Sequence, residues 1–298
     1  MVYTSEIAHS GYAGHIETAT DFLSGHDLFK GVDDLCHQPA GDAVIAGQEC
    51  VILKESLESI DKQGVAILPP MDVFDSINLL KTEQIHVACT MLDPWYNKGK
   101  GDVLPTDEYD AFIQQLLENS GEISDLLYLW GFPEVIGPYV RYAPKDFYMV
   151  SWLTWYYKNC PSVIRGWRSS QNACIQFMRH GYALHPEHFL NETQKEKFES
   201  GKMRFVPGPP SVIESPLIIG FVGKKEQTGH PSQKPEAVFD KLLLMAMADN
   251  QIVFDPMAGS GTTGASATKN GFRAILCDKN EEYISLMENR LNVKRISI

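Results

Sequence analysis

The segment Val253-Phe254-Asp255-Pro256-Met257-Ala258-Gly259-Ser260-Gly261-Thr262-Thr263 constrains this chain more than any other. Apolar residues 252–254 read as a buried strand, Gly259 and Gly261 give a tight turn with room for close backbone approach, and Thr262 starts a helix. A strand that runs through a glycine turn into a helix cradles a nucleotide-type ligand at the carboxyl end of a parallel strand. A lone Gly-x-Gly pair is more often an ordinary turn, so the downstream residues matter. The helix through Asn270 leads to a second strand over residues 273–277, which ends in Asp278 and Lys279. That acid falls about 20 residues after the glycines, where a carboxylate can hold ribose hydroxyls. The turn lacks the Lys-Ser/Thr pair of a triphosphate-binding loop and the full spacing of a dinucleotide fingerprint.

Two further motifs precede this one. An apolar, strand-like run over residues 85–92 delivers Asp93-Pro94-Trp95-Tyr96 to a strand end, and His230-Pro231-Ser232-Gln233-Lys234-Pro235 stands just before a helix whose packing side is Val238, Leu242, Met245 and Met247. Pro235 suits the first turn of that helix. Taken together, the three motifs resemble those of the S-adenosylmethionine-dependent amino-methyltransferases of DNA. Their order, with the target-site motif first and the glycine loop last, is similar to that of the beta group, whose cofactor half lies at the carboxyl terminus by permutation. The resemblance covers roughly residues 61–178 and 215–298.

What the resemblance implies is an α/β chain with a Rossmann-like three-layer αβα methyltransferase fold. Its sheet would be mostly parallel and seven-stranded, with an antiparallel hairpin at one edge. The proposed strands lie near 64–68, 86–92, 125–130, 147–154, 172–178, 251–254 and 272–277. S-adenosyl-L-methionine would be bound by Phe254, Asp255, Pro256, Ala258, Gly259, Ser260, Gly261, Thr262, Thr263, Asp278 and Lys279, with His230, Ser232, Lys234 and Pro235 touching it. The family also has a short strand ending in an acid near the cofactor's adenine. Asp72, after residues 65–68, is either that acid or a solvated loop acid, and Asp75 competes with it.

The catalytic motif has a direct chemical reading. The exocyclic amine of adenine or cytosine is a poor nucleophile because its lone pair is conjugated into the ring. The Asp93 carboxylate and the Pro94 carbonyl can accept both amine hydrogens and leave the lone pair facing a sulfonium methyl. Tyr96 would stack on the extruded base, since a base inside a duplex cannot enter a pocket. Trp95, counted with the catalytic motif, is a departure: the family usually has a second proline there. The Pro94 carbonyl survives, while the loop loses one fixed φ angle. In the family an Asp at the first position goes mostly with adenine and a Ser mostly with cytosine, so adenine N6 is expected. Cytosine N4 and RNA adenine are the alternatives, and a non-catalytic subunit of the same fold is a more distant one.

Charge locates a second surface. The 298-residue chain carries a formal net charge of -12, and residues 1–60 hold ten acids against Lys30 and Lys54. Residues 151–180 contain Lys158, Arg165, Arg168 and Arg179 and no acid. Such a basic patch in an acidic protein is the expected phosphate footprint. For Trp152 and Trp155, which precede it, plain packing is the better reading. Residues 1–60 read as an acidic extension, either lid or interface, and residues 61–298 as the methyltransferase domain with a short recognition segment at about 180–215. The six cysteines show no Cys-x-x-Cys spacing, so neither a metal site nor a disulfide framework is expected. The Cys160-Pro161 pair reverses the order used by enzymes that methylate cytosine carbon. DNA is the expected partner, joined by a second copy of the chain or a restriction endonuclease. No membrane partner is expected, and the natural setting is a reducing cytoplasm, bacterial or reached from a phage.

Overall fold

The computed structural model describes residues 64–97, 103–160 and 166–297. The expectations for residues 1–60 and for Arg165 lie outside the described residues. The strands are β1 (Val65–Ile67), β2 (Val87–Leu92), β3 (Ser124–Gly131), β4 (Phe147–Tyr156), β5 (Gln171–Arg179), β6 (Val212–Glu214), β7 (Ile252–Asp255) and β8 (Arg273–Leu276). The helices are α1 (Val73–Thr82), α2 (Thr106–Ile123), α3 (Pro133–Ile136), α4 (Glu192–Glu199), α5 (Glu236–Ala246), α6 (Thr262–Lys269) and α7 (Glu281–Leu291). No described helix is long and apolar enough to cross a membrane.

The strands form one sheet in the order β1-β8-β7-β2-β3-β5-β4-β6. Its interior strands read as continuous apolar runs because both faces are covered. On one face Val65, Ile67, Met91 and Trp130 pack with Val238, Leu242, Ala267, Ile284 and Met287 of α5, α6 and α7. On the other, Leu92, Leu127 and Phe254 pack with Ile77 and Leu80 of α1 and Ile113 and Leu116 of α2. The result is the expected three-layer αβα arrangement.

Three features of this sheet position the site. β2 and β7 are parallel neighbours, yet α2 leaves β2 toward one face and α6 leaves β7 toward the other. This reversal opens a crevice at their carboxyl ends, where open α/β sheets bind ligands. Second, β5 alone runs against its neighbours. Third, the sheet has eight strands instead of seven, because β6 pairs parallel to β4 through Thr154, Trp155 and Tyr156. The hairpin is therefore not at the edge. A three-residue strand with one buried side chain, Ile213, gives too short a run for alternation to reveal. The Trp155 indole N–H donates to the Ser215 carbonyl at 2.7 Å and anchors it.

Local signals fix the helix starts. Asp72 accepts from the Phe74 N–H at 2.9 Å as the cap of α1. Asn191 and Gln194 form a reciprocal capping box, so α4 begins three residues ahead of the charged run at 195–202.

Candidate active site

Three strand ends and one loop segment meet at the crevice. β2 ends in Asp93, β7 in Asp255 and the glycine turn, β8 leads to Asp278, and the segment before α5 carries His230, Ser232 and Lys234. Asp93, Asp255, Ala258, Gly259, Ser260, Thr262 and Thr263 line one cleft with His230, Ser232 and Lys234. Trp130, Phe239, Met91 and Met257, none of them motif acids or glycines named as candidates, complete its wall. Three motifs, the first well over a hundred residues before the other two, thus converge on one cavity.

The glycine turn is built by its own hydrogen bonds. Gly261 N–H donates to the Ala258 carbonyl at 2.7 Å, and Gly259 N–H donates to the Asp278 carboxylate at 3.0 Å. Both glycines have positive φ, +49° and +74°, which a side chain would strain. Their surroundings differ. A Cβ on Gly259 would lie 2.9 Å from His230 Nε2, on the cleft, whereas one on Gly261 would lie 3.0 Å from Met287 Cγ, in the packing against α7. A side chain at Gly259 would thus intrude on the cleft, and one at Gly261 on the packing against α7. Arg290 of α7, which no motif signalled, donates to the Ser260 carbonyl at 2.9 Å and the Thr262 hydroxyl at 3.1 Å, and pairs with Glu236 at 2.8 Å. It braces the turn from behind.

The acids differ in state. Burial pushes the Asp255 carboxyl up to about 7, opposed by the Thr263 hydroxyl and the Met257 N–H and reinforced by the charges of Asp93 and Asp278. A cationic ligand would relieve this cost, so a half-protonated buried acid here suits a positively charged cofactor. Burial also lowers the His230 imidazole below its ordinary range, leaving it neutral at pH 7. Its ring meets Tyr283 edge-on at 4.4 Å.

The catalytic loop is held from several sides. Trp95 turns away from the cleft: its ring lies 4.7 Å from Phe112 and 5.4 Å from Tyr109, with Lys279 over it at 6.0 Å. The Tyr109 hydroxyl donates to the Trp95 carbonyl at 2.6 Å. Packing on α2 thus supplies the rigidity that a second proline would give, which accounts for the departure. Tyr96 lies against Phe132 with ring centroids 4.7 Å apart, and the Asn172 amide donates to its hydroxyl at 3.3 Å.

The Lys234 ammonium goes to Asp93 Oδ2, a pair the sequence did not suggest. Burial alone would lower its pKa, but Asp93 and Tyr96 outweigh burial and raise it. Lys234 lines the cleft with the glycine turn, and its charge is paired with the catalytic loop. Asp93 Oδ1 and Trp130 Nε1 are buried and have no hydrogen-bond partner, and so is Asn172 Oδ1 beside Tyr96. Buried polar groups are almost always paired, so an unpaired acceptor and donor in one cleft mark places for a ligand's polar atoms.

Other expected residues are placed elsewhere. Asp72 is exposed and committed to its helix cap, while Met71 N–H reaches the Asp278 carbonyl at 3.3 Å; neither acid of this segment lines the cleft. Phe254 is wholly buried in the core, and Pro235 caps α5. Of the basic patch, Arg179 stands at the far end of β5. It donates to Asp125 at 3.0 Å and to the Gly121 and Ser124 carbonyls, with Phe147 under its guanidinium. A guanidinium so engaged is structural, and the expected place on phosphate is corrected by the length of the strand. Lys158 pairs with Glu214 at 2.6 Å on the surface. Arg168 is exposed beside Trp167, which is 92% exposed. The chain from 217 to 225 adjoins this loop, since Asn159 bridges to both the amide and the carbonyl of Leu217 at 2.8 and 2.9 Å. It carries Lys224, Lys225 and the 94% exposed Phe221.

Comparison with known proteins agrees with this geometry. Residues 87–289 match the family described as DNA methylase. The chain is 26% identical over 233 residues to Type II methyltransferase M.HpaI of Haemophilus parainfluenzae, spanning 73% of this chain and 72% of that one. It is 27% identical over 220 residues to DNA adenine methyltransferase YhdJ of Escherichia coli (strain K12), spanning 67% and 74%. The crystal structure of the M1.HpyAVI-SAM complex superposes with a TM-score of 0.58 at 17% identity, over 77% of this chain and all of that one.

Proposed function

This chain belongs to the DNA methylase family, and from that membership and the cleft we infer that it methylates the exocyclic N6 amine of adenine in DNA, with S-adenosyl-L-methionine as methyl donor. The unpartnered Asp93 Oδ1 carries this reading. A buried carboxylate oxygen whose twin is already held by an ammonium has one unmet need, a hydrogen-bond donor, and a base amine supplies it. When bound, the cofactor supplies a methyl group on a positively charged sulfur. The chain's residues do the rest. Gly259, Asp278 and Asp255 hold the cofactor, Asp255 by charge. Asp93 and the Pro94 carbonyl take the two amine hydrogens, so that the nitrogen lone pair leaves the ring plane and is aimed at the methyl. Tyr96, kept in place by Phe132 and Asn172, gives the base a face to stack on. The methylated nitrogen then sheds one of its hydrogens as a proton.

Adenine rather than cytosine is favoured by Asp at position 93 and by the likeness to YhdJ. We propose Arg165 and Arg168 as phosphate contacts, with Lys224 and Lys225 as further candidates. Mass spectrometry of nucleosides from DNA incubated with the chain and cofactor tests the function. N6-methyladenine is expected; N4-methylcytosine would refute the base assignment, and unmodified DNA the function.

A further inference from the structure

Lys234 spans the crevice from one motif to another. Its backbone carbonyl accepts from the Thr262 hydroxyl at 3.1 Å, at the first residue of the helix that follows the glycine turn. Thr262 is itself tied to Ser260 Oγ at 3.1 Å and to Arg290. Its side chain, 4% exposed, crosses to the catalytic loop and meets Asp93 Oδ2. Tyr96 adds to Asp93 in holding the ammonium charged, and the Trp130 ring lies 5.5 Å away. An ammonium has three donors and no acceptor. Here one goes to the carboxylate, and the aromatic ring beside it is a favourable seat for a cation.

We propose that Lys234 is a positioning residue that locks Asp93 and Tyr96 to the cofactor turn, and so couples cofactor binding to binding of the base. This rests on the methyl-transfer reading above but assigns a role that reading does not need. The coupling follows from geometry. A ligand that orders the glycine turn orders Thr262. Thr262 fixes the Lys234 main chain, and the buried side chain leaves Asp93 one orientation, with Oδ2 occupied and Oδ1 open. Reciprocally, a base amine on Oδ1 fixes Asp93, then Lys234 and the turn, as linkage between two sites requires. A purely structural ion pair would hold the loop equally well with either ligand present or absent.

The test uses Lys234→Met, which keeps the length and burial of the chain, and Lys234→Arg. Cofactor affinity is measured by calorimetry on the full chain with and without a duplex substrate, and single-turnover methylation is followed alongside. In the parent, DNA should tighten cofactor binding. In Lys234→Met the cofactor affinity without DNA should change by less than about threefold, the DNA-dependent tightening should vanish, and transfer should slow by about a hundredfold, within the range of typical coupling and orientation effects. Lys234→Arg should recover part of both. A parallel loss of cofactor affinity without DNA would overturn the proposal in favour of a direct cofactor contact, and unchanged tightening would reduce the pair to a structural one. If Lys234→Met does not fold, Asp93→Asn provides the second arm: it must also abolish the tightening, because Lys234 acts through Asp93, and retention refutes the mechanism. A parent that methylates no DNA refutes the functional reading itself, which these outcomes leave separate.

Discussion

Lowering the pH should weaken cofactor binding through Asp255. With its carboxyl at about 7 in the free protein, Asp255 is mostly protonated one unit below that value and mostly ionised one unit above it. A sulfonium beside it favours the ionised form, so binding must expel the proton wherever the free protein holds one. If the bound carboxyl returns to an ordinary value near 4, affinity should tighten about tenfold between pH 6 and pH 8, the ratio of the ionised fractions in the free protein. Binding at pH 6 should release about 0.9 proton. The sign for stability runs the other way. A carboxyl raised above its unfolded value gives the free protein stability that is full at acid pH and is lost as pH rises through about 7, so cofactor should protect against heat most at alkaline pH. Calorimetry in two buffers of different ionisation enthalpy measures affinity and proton release together. His230 shares the cleft, and Asp255→Asn separates the two: it should flatten the profile and remove the proton release. A parent profile flat from pH 6 to 8, or an unchanged slope in Asp255→Asn, would refute the assignment of Asp255 to the cofactor's charge.

Asp93→Ala should cut methyl transfer by far more than tenfold, which is about 1.4 kcal/mol of barrier, while calorimetry still finds cofactor binding; retention of a tenth of the rate would contradict the two-acceptor geometry. Gly259→Ala should weaken cofactor binding, because its Cβ enters the cleft at His230, whereas Gly261→Ala should chiefly lower the melting temperature by crowding Met287; strain of about 1–2 kcal/mol is expected at each, and the opposite pattern in calorimetry and melting would refute this division. Arg168→Ala should lower the salt dependence of DNA binding by about one unit of slope. Arg179→Ala should leave the slope alone and lower stability instead, by about 1–3 kcal/mol for its lost buried partners, read by denaturant titration.

The fold was legible where chemistry and periodicity coincide. The strand-turn-helix at 252–269 and the apolar run before Asp93 announce themselves, because a ligand-binding turn demands glycine and a buried parallel strand demands unbroken apolar residues. The cleft lining from the glycine turn follows directly. What stayed hidden depends on contacts between distant segments. Nothing about Lys234 in its own motif says that its ammonium reaches Asp93, 141 positions earlier. Arg290 sits in an ordinary amphipathic helix, and Trp130 in a strand that already reads as core. Arg179 misled for the same reason: charge counted along the chain ignores that a nine-residue strand carries its last residue to the other end of the strands, beside Asp125 on β3. β6 was missed because three residues hold too little pattern to read.

The order of the strands also bears on how such a chain is made. Among the described residues, β8 is the sole partner of β1 and β7 fills the gap between β8 and β2, although both are encoded after the other described strands. On the ribosome, β1 must wait about two hundred residues for β8, and β2 has one open edge for about 160 until β7. Unpaired apolar edges invite misassociation between nascent chains. The last strands to be made also flank the glycine turn. Termination just before residue 252 therefore leaves five paired strands, β2-β3-β5-β4-β6, with an exposed edge at β2 and without the turn, for the cell to clear.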